Sequence, residues 1–234
     1  MNEAIIWLIR LLAAHLISDF LLQPDSWVEA KREKQLRANE FWYHITLVTF
    51  FTVLFTGFSG WWWIAPTVFI THFLIDWWKC QSKKSWKMFL ADQALHILVI
   101  FIIWKIKFPE ENTLTDLVNI SESSFWIVLF AMTFLTRPVG VVIGMLTAQF
   151  RKQIEKFDKE TLAKAGTWIG ILERLVVFFL VLIEQWEAMG LLVAAKSIIR
   201  LKDGDQKMSE YVLIGTLISI SVAVLTGYIV SKLI

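Results

Sequence analysis

Apolar runs close to the ~20 residues that a helix needs to cross a bilayer recur from one end of this chain to the other. They fall at 4–23, 41–59, 61–80, 88–107, 124–150, 167–200 and 211–233. Backbone polar groups in hydrocarbon must be satisfied within their own segment, so runs of this length fold as helices. Of the 234 residues, 56% are hydrophobic and thirteen are Trp, and mean hydropathy is +0.58. The chain reads as an all-α polytopic transmembrane helical bundle of seven or eight crossings, with the lipid bilayer as its surroundings. A net charge of +2, carried by loops and a few helix positions, points to no nucleic-acid partner. Cys80 is alone, which excludes an internal disulfide. The first run carries His15, Asp19 and Gln23 near its end and lacks a small-x-small cleavage pattern, so it is expected to be a retained helix.

Loop charge sets the orientation. The loop from Pro24 to Glu40 holds Lys31, Arg32, Lys34 and Arg37, and the loop after Trp78 holds Lys79, Lys83, Lys84 and Lys87. The loop after Phe150 holds Arg151, Lys152, Lys156, Lys159 and Lys164, while the alternate connections at 57–62 and 108–123 are uncharged or acidic. The positive-inside rule then puts the N-terminus outside and the basic loops in the cytoplasm. Trp61, Trp62 and Trp63 fit an outer aromatic belt, and Trp27, Trp42, Trp77, Trp78 and Trp86 an inner one.

Within this apolar sequence all four histidines lie in the first hundred residues, and three stand one helical turn from an aspartate: His15 and Asp19, His72 and Asp76, Asp92 and His96. That spacing places each imidazole and carboxylate on one helix face. The first and third helices run inward and meet His before Asp; the fourth runs outward and the order is reversed. All three aspartates therefore sit ~6 Å from the cytoplasmic end and the histidines ~12 Å from it. His44 enters the second helix on the same side. Ionisable groups in a membrane are costly, so three pairs at matched depth mark a convergent site.

Imidazole nitrogen and carboxylate oxygen suit a divalent transition metal, zinc first and manganese or iron after it, better than the all-oxygen shells of calcium and magnesium. The expected ligands are His15, Asp19, His44, His72, Asp76, Asp92 and His96, enough for two ions or for one ion with carboxylates orienting the imidazoles. Such an ion lowers the pKa of water and polarises a carbonyl or phosphoryl oxygen. Asp19, Asp76 and Asp92 are the catalytic candidates, because a carboxylate not committed to the ion can serve as general base. Gln23, Lys79 and Gln93 could hold a substrate oxygen, although for Lys79 an interface lysine that snorkels is the preferred reading.

The chain divides into a four-helix half over 1–107 that carries this site and a second half over 108–234 with three or four crossings. A single helix over 167–200 would leave Lys196, Arg200, Lys202 and Lys207 outside, so a hairpin meeting at Glu184 to Glu187 is preferred. It predicts that Glu173 faces Lys196 or Arg200. Arg137 followed by Pro138 breaks the 124–150 run. Gly140, Gly144, Gly166, Gly170 and Gly190 read as close helix packing, and no phosphate-loop or dinucleotide glycine pattern occurs.

The stretches AHLISDFLLQPDSWVEAKREK, FWYH, THFLIDWWK and DQALHI, with IGILERL, AAKSIIR and EYVLIGTL later, resemble the bacterial integral membrane family catalogued as domain of unknown function 3307. The resemblance implies a multi-pass protein of the bacterial cytoplasmic membrane and brings no activity with it. In the pattern of histidines and aspartates on short-looped helices the chain is also similar, more loosely, to metal-dependent hydrolases of that membrane. The leading expectation is a membrane-embedded metal-dependent hydrolase acting on a lipid-linked or amphipathic substrate. The alternatives are a metal-ion or proton transporter or channel, and a non-catalytic membrane scaffold.

Overall fold

A computed structural model describes residues 3–83, 85–110, 124–151, 161–200 and 206–234. Lys84, the segment 111–123, the basic run at Lys152, Lys156 and Lys159, and Lys202 lie outside the described residues. Every regular element among the described residues is helical. Among the described residues five helices, Glu3–Leu21, Trp86–Lys107, Ser124–Leu146, Ala165–Leu182 and Glu210–Leu233, are long and apolar enough to cross a membrane. The chain forms two compact units, Met1–Phe130 and Ala131–Ile234.

In the first unit, α1 (Glu3–Leu16) continues into a π-helical turn, Ile17–Leu21, closed by Leu22 N–H donating to Ile17 C=O at 2.9 Å. Pro24, extended at φ −64°, ψ 154°, starts α2 (Asp25–Lys34). A 3-10 turn, Gln35–Arg37, leads to α3 (Asn39–Phe55). Sequence reading takes 24–40 as a loop. The segment is helical instead because Pro24 and Asp25 supply a helix start that hydropathy does not register. Left-handed Gly57, Phe58 and Gly60 turn the chain from α3 into α4 (Trp61–Gln81), and α5 (Trp86–Lys107) opens with Ser85 Oγ accepting from Met88 N–H at 3.2 Å.

α1, α3, α4 and α5 meet in one apolar cluster that includes Trp7, Leu11, Val48, Ile64, Val68, Ile103 and Trp104. The indole N–H of Trp104 donates to Ala4 C=O at 2.6 Å, tying α5 to the start of α1. A second cluster of Ala38, Phe41 and Ile45 packs with Phe69, Phe73 and Cys80. The histidines and aspartates lie where these helices leave the first cluster.

The run over 124–150 breaks at Thr136, where ψ is −118°, into α6 (Ser124–Leu135), whose first residues belong to the first unit, and α7 (Arg137–Leu146) of the second. A short turn, α8 (Ala148–Arg151), comes next. The run over 167–200 is two helices, α9 (Thr161–Leu182) and α10 (Trp186–Arg200), turned by Glu184 at φ 57°. The Lys196 ammonium donates to the Glu173 carboxylate across this hairpin. The last helix is α11 (Gln206–Leu233). The close packing assigned to glycines falls elsewhere: a Cβ at Gly227 would stand 2.9 Å from Val181, while Gly144, Gly166 and Gly190 have open space around them. Gly140 and Gly170 instead make room for the guanidinium of Arg174.

Candidate metal centre

The π turn after α1 adds a residue to the helical repeat and redirects the chain beyond it. Asp19 falls inside that turn, and its Oδ1 approaches three imidazoles. It lies 3.7 Å from His15 Nδ1, 3.5 Å from His44 Nε2 and 3.7 Å from His72 Nε2. The helical spacing alone accounts for His15; α3 and α4 deliver the other two.

Asp76, on α4, faces two ways. Its Oδ2 lies 3.6 Å from His44 Nε2 and 4.0 Å from His72 Nε2, and its Oδ1 lies 3.9 Å from His96 Nε2. Asp92, on α5, places Oδ1 3.5 Å from the same His96 nitrogen. The rings of His72 and His96 stack at 4.2 Å between centroids, and His44 and His72 approach at 3.0 Å between Nε2 atoms. The four imidazoles and three carboxylates named from the sequence thus form one group, contributed by α1 with its π turn, α3, α4 and α5.

Every one of these side chains is 5% exposed or less. Asp19 Oδ1, Asp76 Oδ1, Asp92 Oδ1 and His96 Nε2 are buried with no hydrogen-bond partner among the described residues. Buried polar atoms without partners are rare and costly, and here they converge. Separations of 3.5 to 4.0 Å are too long for hydrogen bonds. They match the ~3.4 Å edge of a tetrahedral shell built from ligands ~2.1 Å from a zinc ion. Among the described residues three overlapping groups have donor atoms close enough to share an ion: Asp19, His72 and His96; His44, His72 and Asp76; Asp76, Asp92 and His96.

The residues expected to meet substrate lie at the rim or are engaged in the site itself. Gln93 donates to Asp92 Oδ2 at 3.0 Å, and its Oε1 meets His15 Nε2 at 3.3 Å. Lys79 turns inward rather than snorkelling and donates to Asp92 Oδ2 at 2.5 Å. Gln23 is buried just beyond the π turn. Lys31, not singled out from the sequence, enters from α2, is 4% exposed, and donates to Asp76 Oδ2 at 2.5 Å. Its signal was the helix start at Pro24, which makes 25–34 a helix able to aim one lysine inward. A void of about 30 Å³, room for a water or two, lies on the apolar side of the histidines, bordered by Leu11, Val48, Thr52, Thr71 and Ile103.

Residues 7–125 match the family described as a protein of unknown function (DUF3307), and the chain belongs to that family. The matched span contains all the donors named above and ends within the first unit. No curated protein and no solved structure matches the chain. The looser likeness to metal-dependent hydrolases finds no support in these comparisons.

Proposed function

We propose that this member of the DUF3307 family is a membrane-embedded metal-dependent hydrolase whose centre binds a divalent transition ion, zinc before manganese or iron. The observation that carries the reading is the convergence of four partnerless buried donor atoms, Asp19 Oδ1, Asp76 Oδ1, Asp92 Oδ1 and His96 Nε2, beside three further imidazoles. A void able to hold water borders three of those imidazoles, His15, His72 and His96.

An ion there would polarise a carbonyl or phosphoryl oxygen and make water acidic enough to attack it. Asp19, with His72 and His96, supplies a ligand set that leaves Asp92 uncommitted to the ion. Gln93 holds His15 and Asp92 in orientation, the role of an outer partner to a ligand. Asp92 keeps its Oδ2 on Lys79 and Gln93 and has Oδ1 available to take a proton. The reading includes seven or eight crossings of the bacterial cytoplasmic membrane with the N-terminus outside. A lipid-linked or amphipathic substrate then approaches from the side of α2.

The test is elemental analysis of the purified full-length chain, wild type against His72→Ala and His96→Ala, with hydrolysis of lipid-linked esters and phosphoesters followed in parallel. The expected result is a bound transition ion lost in both variants together with the hydrolysis. Absence of ion from the wild type after incubation with zinc, manganese and iron would refute the centre. A second reading, passage of a metal ion or protons, is favoured by the 3.0 Å approach of His44 and His72 Nε2, a pair able to share one proton. It ranks lower because the void beyond the histidines is walled by Val99, Ile100 and Ile103. The hydroxyls of Thr52 and Thr71, which also border it, donate to their own helix carbonyls.

A further inference from the structure

The centre has more donors than one ion needs. Four imidazoles and three carboxylates exceed the four positions of a tetrahedral shell, and two-metal hydrolytic sites hold their ions ~3.5–4 Å apart across shared ligands. Asp76 has the geometry of a shared ligand: Oδ2 faces His44 and His72, and Oδ1 faces His96. Yet Oδ2, the corner where one of two ions would meet that carboxylate, holds the Lys31 ammonium at 2.5 Å. The outer oxygen of Asp92 holds the Lys79 ammonium at the same distance. Both lysines leave the inner Oδ1 atom of their carboxylate without a hydrogen-bond partner.

The charges agree with the geometry. With the imidazoles neutral, three carboxylates and two ammonium groups leave one negative charge in a cluster whose imidazoles, carboxylates and Lys31 are 5% exposed or less and whose Lys79 is 20% exposed. One divalent ion brings this to one positive charge, which a single monoanion balances. A second ion would bring it to three positive charges in a setting that solvates none of them.

We propose that Lys31 and Lys79 stand in place of a second divalent ion, so that the centre takes one ion per chain although its donors suffice for two. The two ammonium groups are tethered charges at the positions where a second metal would neutralise Asp76 and Asp92. This rests on the metal-centre reading above, and stoichiometry separates the two claims.

The full-length chain in detergent is equilibrated by dialysis against excess Zn²⁺ and its zinc content measured, with His72→Ala/His96→Ala as the baseline for surface binding. One ion per wild-type chain is expected, rising to two in Lys31→Met/Lys79→Met and staying at one in Lys31→Arg/Lys79→Arg. Two ions in the wild type overturn the proposal and leave the metal centre standing; none overturns the metal centre and the proposal with it. One ion in both the wild type and the double Met variant overturns the role given to the lysines. If the double Met variant fails to fold, Lys79→Met alone decides the matter, since Asp92 keeps Gln93 as a partner. It is expected to take up more than one ion at high Zn²⁺, and a value fixed at one overturns the proposal.

Discussion

Replacing Lys31 by Met tests whether the polar centre is held together by its charges or by the apolar cluster beside it. Met keeps most of the side-chain volume and removes only the ammonium. Asp76, 1% exposed on its side chain, then has Oδ2 facing His44 at 3.6 Å and His72 at 4.0 Å, with no donor within hydrogen-bond distance. Removing one partner of a buried ion pair costs about 3–5 kcal/mol, because the other charge stays buried and uncompensated. The metal-free variant should therefore lose that much stability. Zinc at ~100 times its dissociation constant should add about 2.7 kcal/mol to any form that binds it. The assay is unfolding of the chelator-treated protein in micelles, followed by tryptophan fluorescence and far-ultraviolet circular dichroism. The internal comparison is Lys196→Met, whose partner Glu173 is 20% exposed and whose loss should cost less than about 1 kcal/mol. Adding Asp76→Asn to Lys31→Met should restore most of the loss, since it removes the stranded charge. The reasoning fails if metal-free Lys31→Met unfolds within about 1 kcal/mol of wild type, a cost typical of an exposed pair.

Arg174→Met strips the guanidinium that donates to Leu135 C=O at 2.5 Å and Thr136 C=O at 2.9 Å, where the helix breaks between α6 and α7. Each stranded acceptor costs about 1–3 kcal/mol, so a clear drop in thermal midpoint is expected, and none would show that the break is capped otherwise. Gly227→Ala drives a Cβ to 2.9 Å from Val181 and should cost about 1–3 kcal/mol by overpacking. Gly166→Ala, with open space around it, should instead gain up to about 1 kcal/mol from helix propensity; reversed signs in the same unfolding assay would contradict the packing described. Asp19→Asn neutralises the carboxylate whose Oδ1 three imidazoles approach. It should lower zinc affinity at least tenfold in competition with a chromophoric chelator while leaving helical content unchanged.

Much of this was legible along the chain because helices impose a period. His15 with Asp19, His72 with Asp76 and Asp92 with His96 share faces by spacing alone, and the reversal of order on the fourth helix predicted their common depth. The break before Pro138 and the hairpin turn near Glu184 were readable from features a sequence displays: a missing N–H in one case and basic residues assigned by the charge rule in the other. The pairing of Glu173 with Lys196 came from the same constraint.

The sequence by itself determined the class of chain, the helical segments that carry the donors and the residue types that converge, because hydrophobic length and the 3.6-residue period are local properties. Only the tertiary structure decided which oxygen of each aspartate faces inward and which is held by a lysine. It also decided that α2 is a helix carrying Lys31 to Asp76, 45 residues away along the chain. The π turn that sets Asp19 among three imidazoles, and Arg174 at the broken helix, belong to it too. Each of these depends on atoms brought together from different helices, and hydropathy, which reads one segment at a time, contains no term for them.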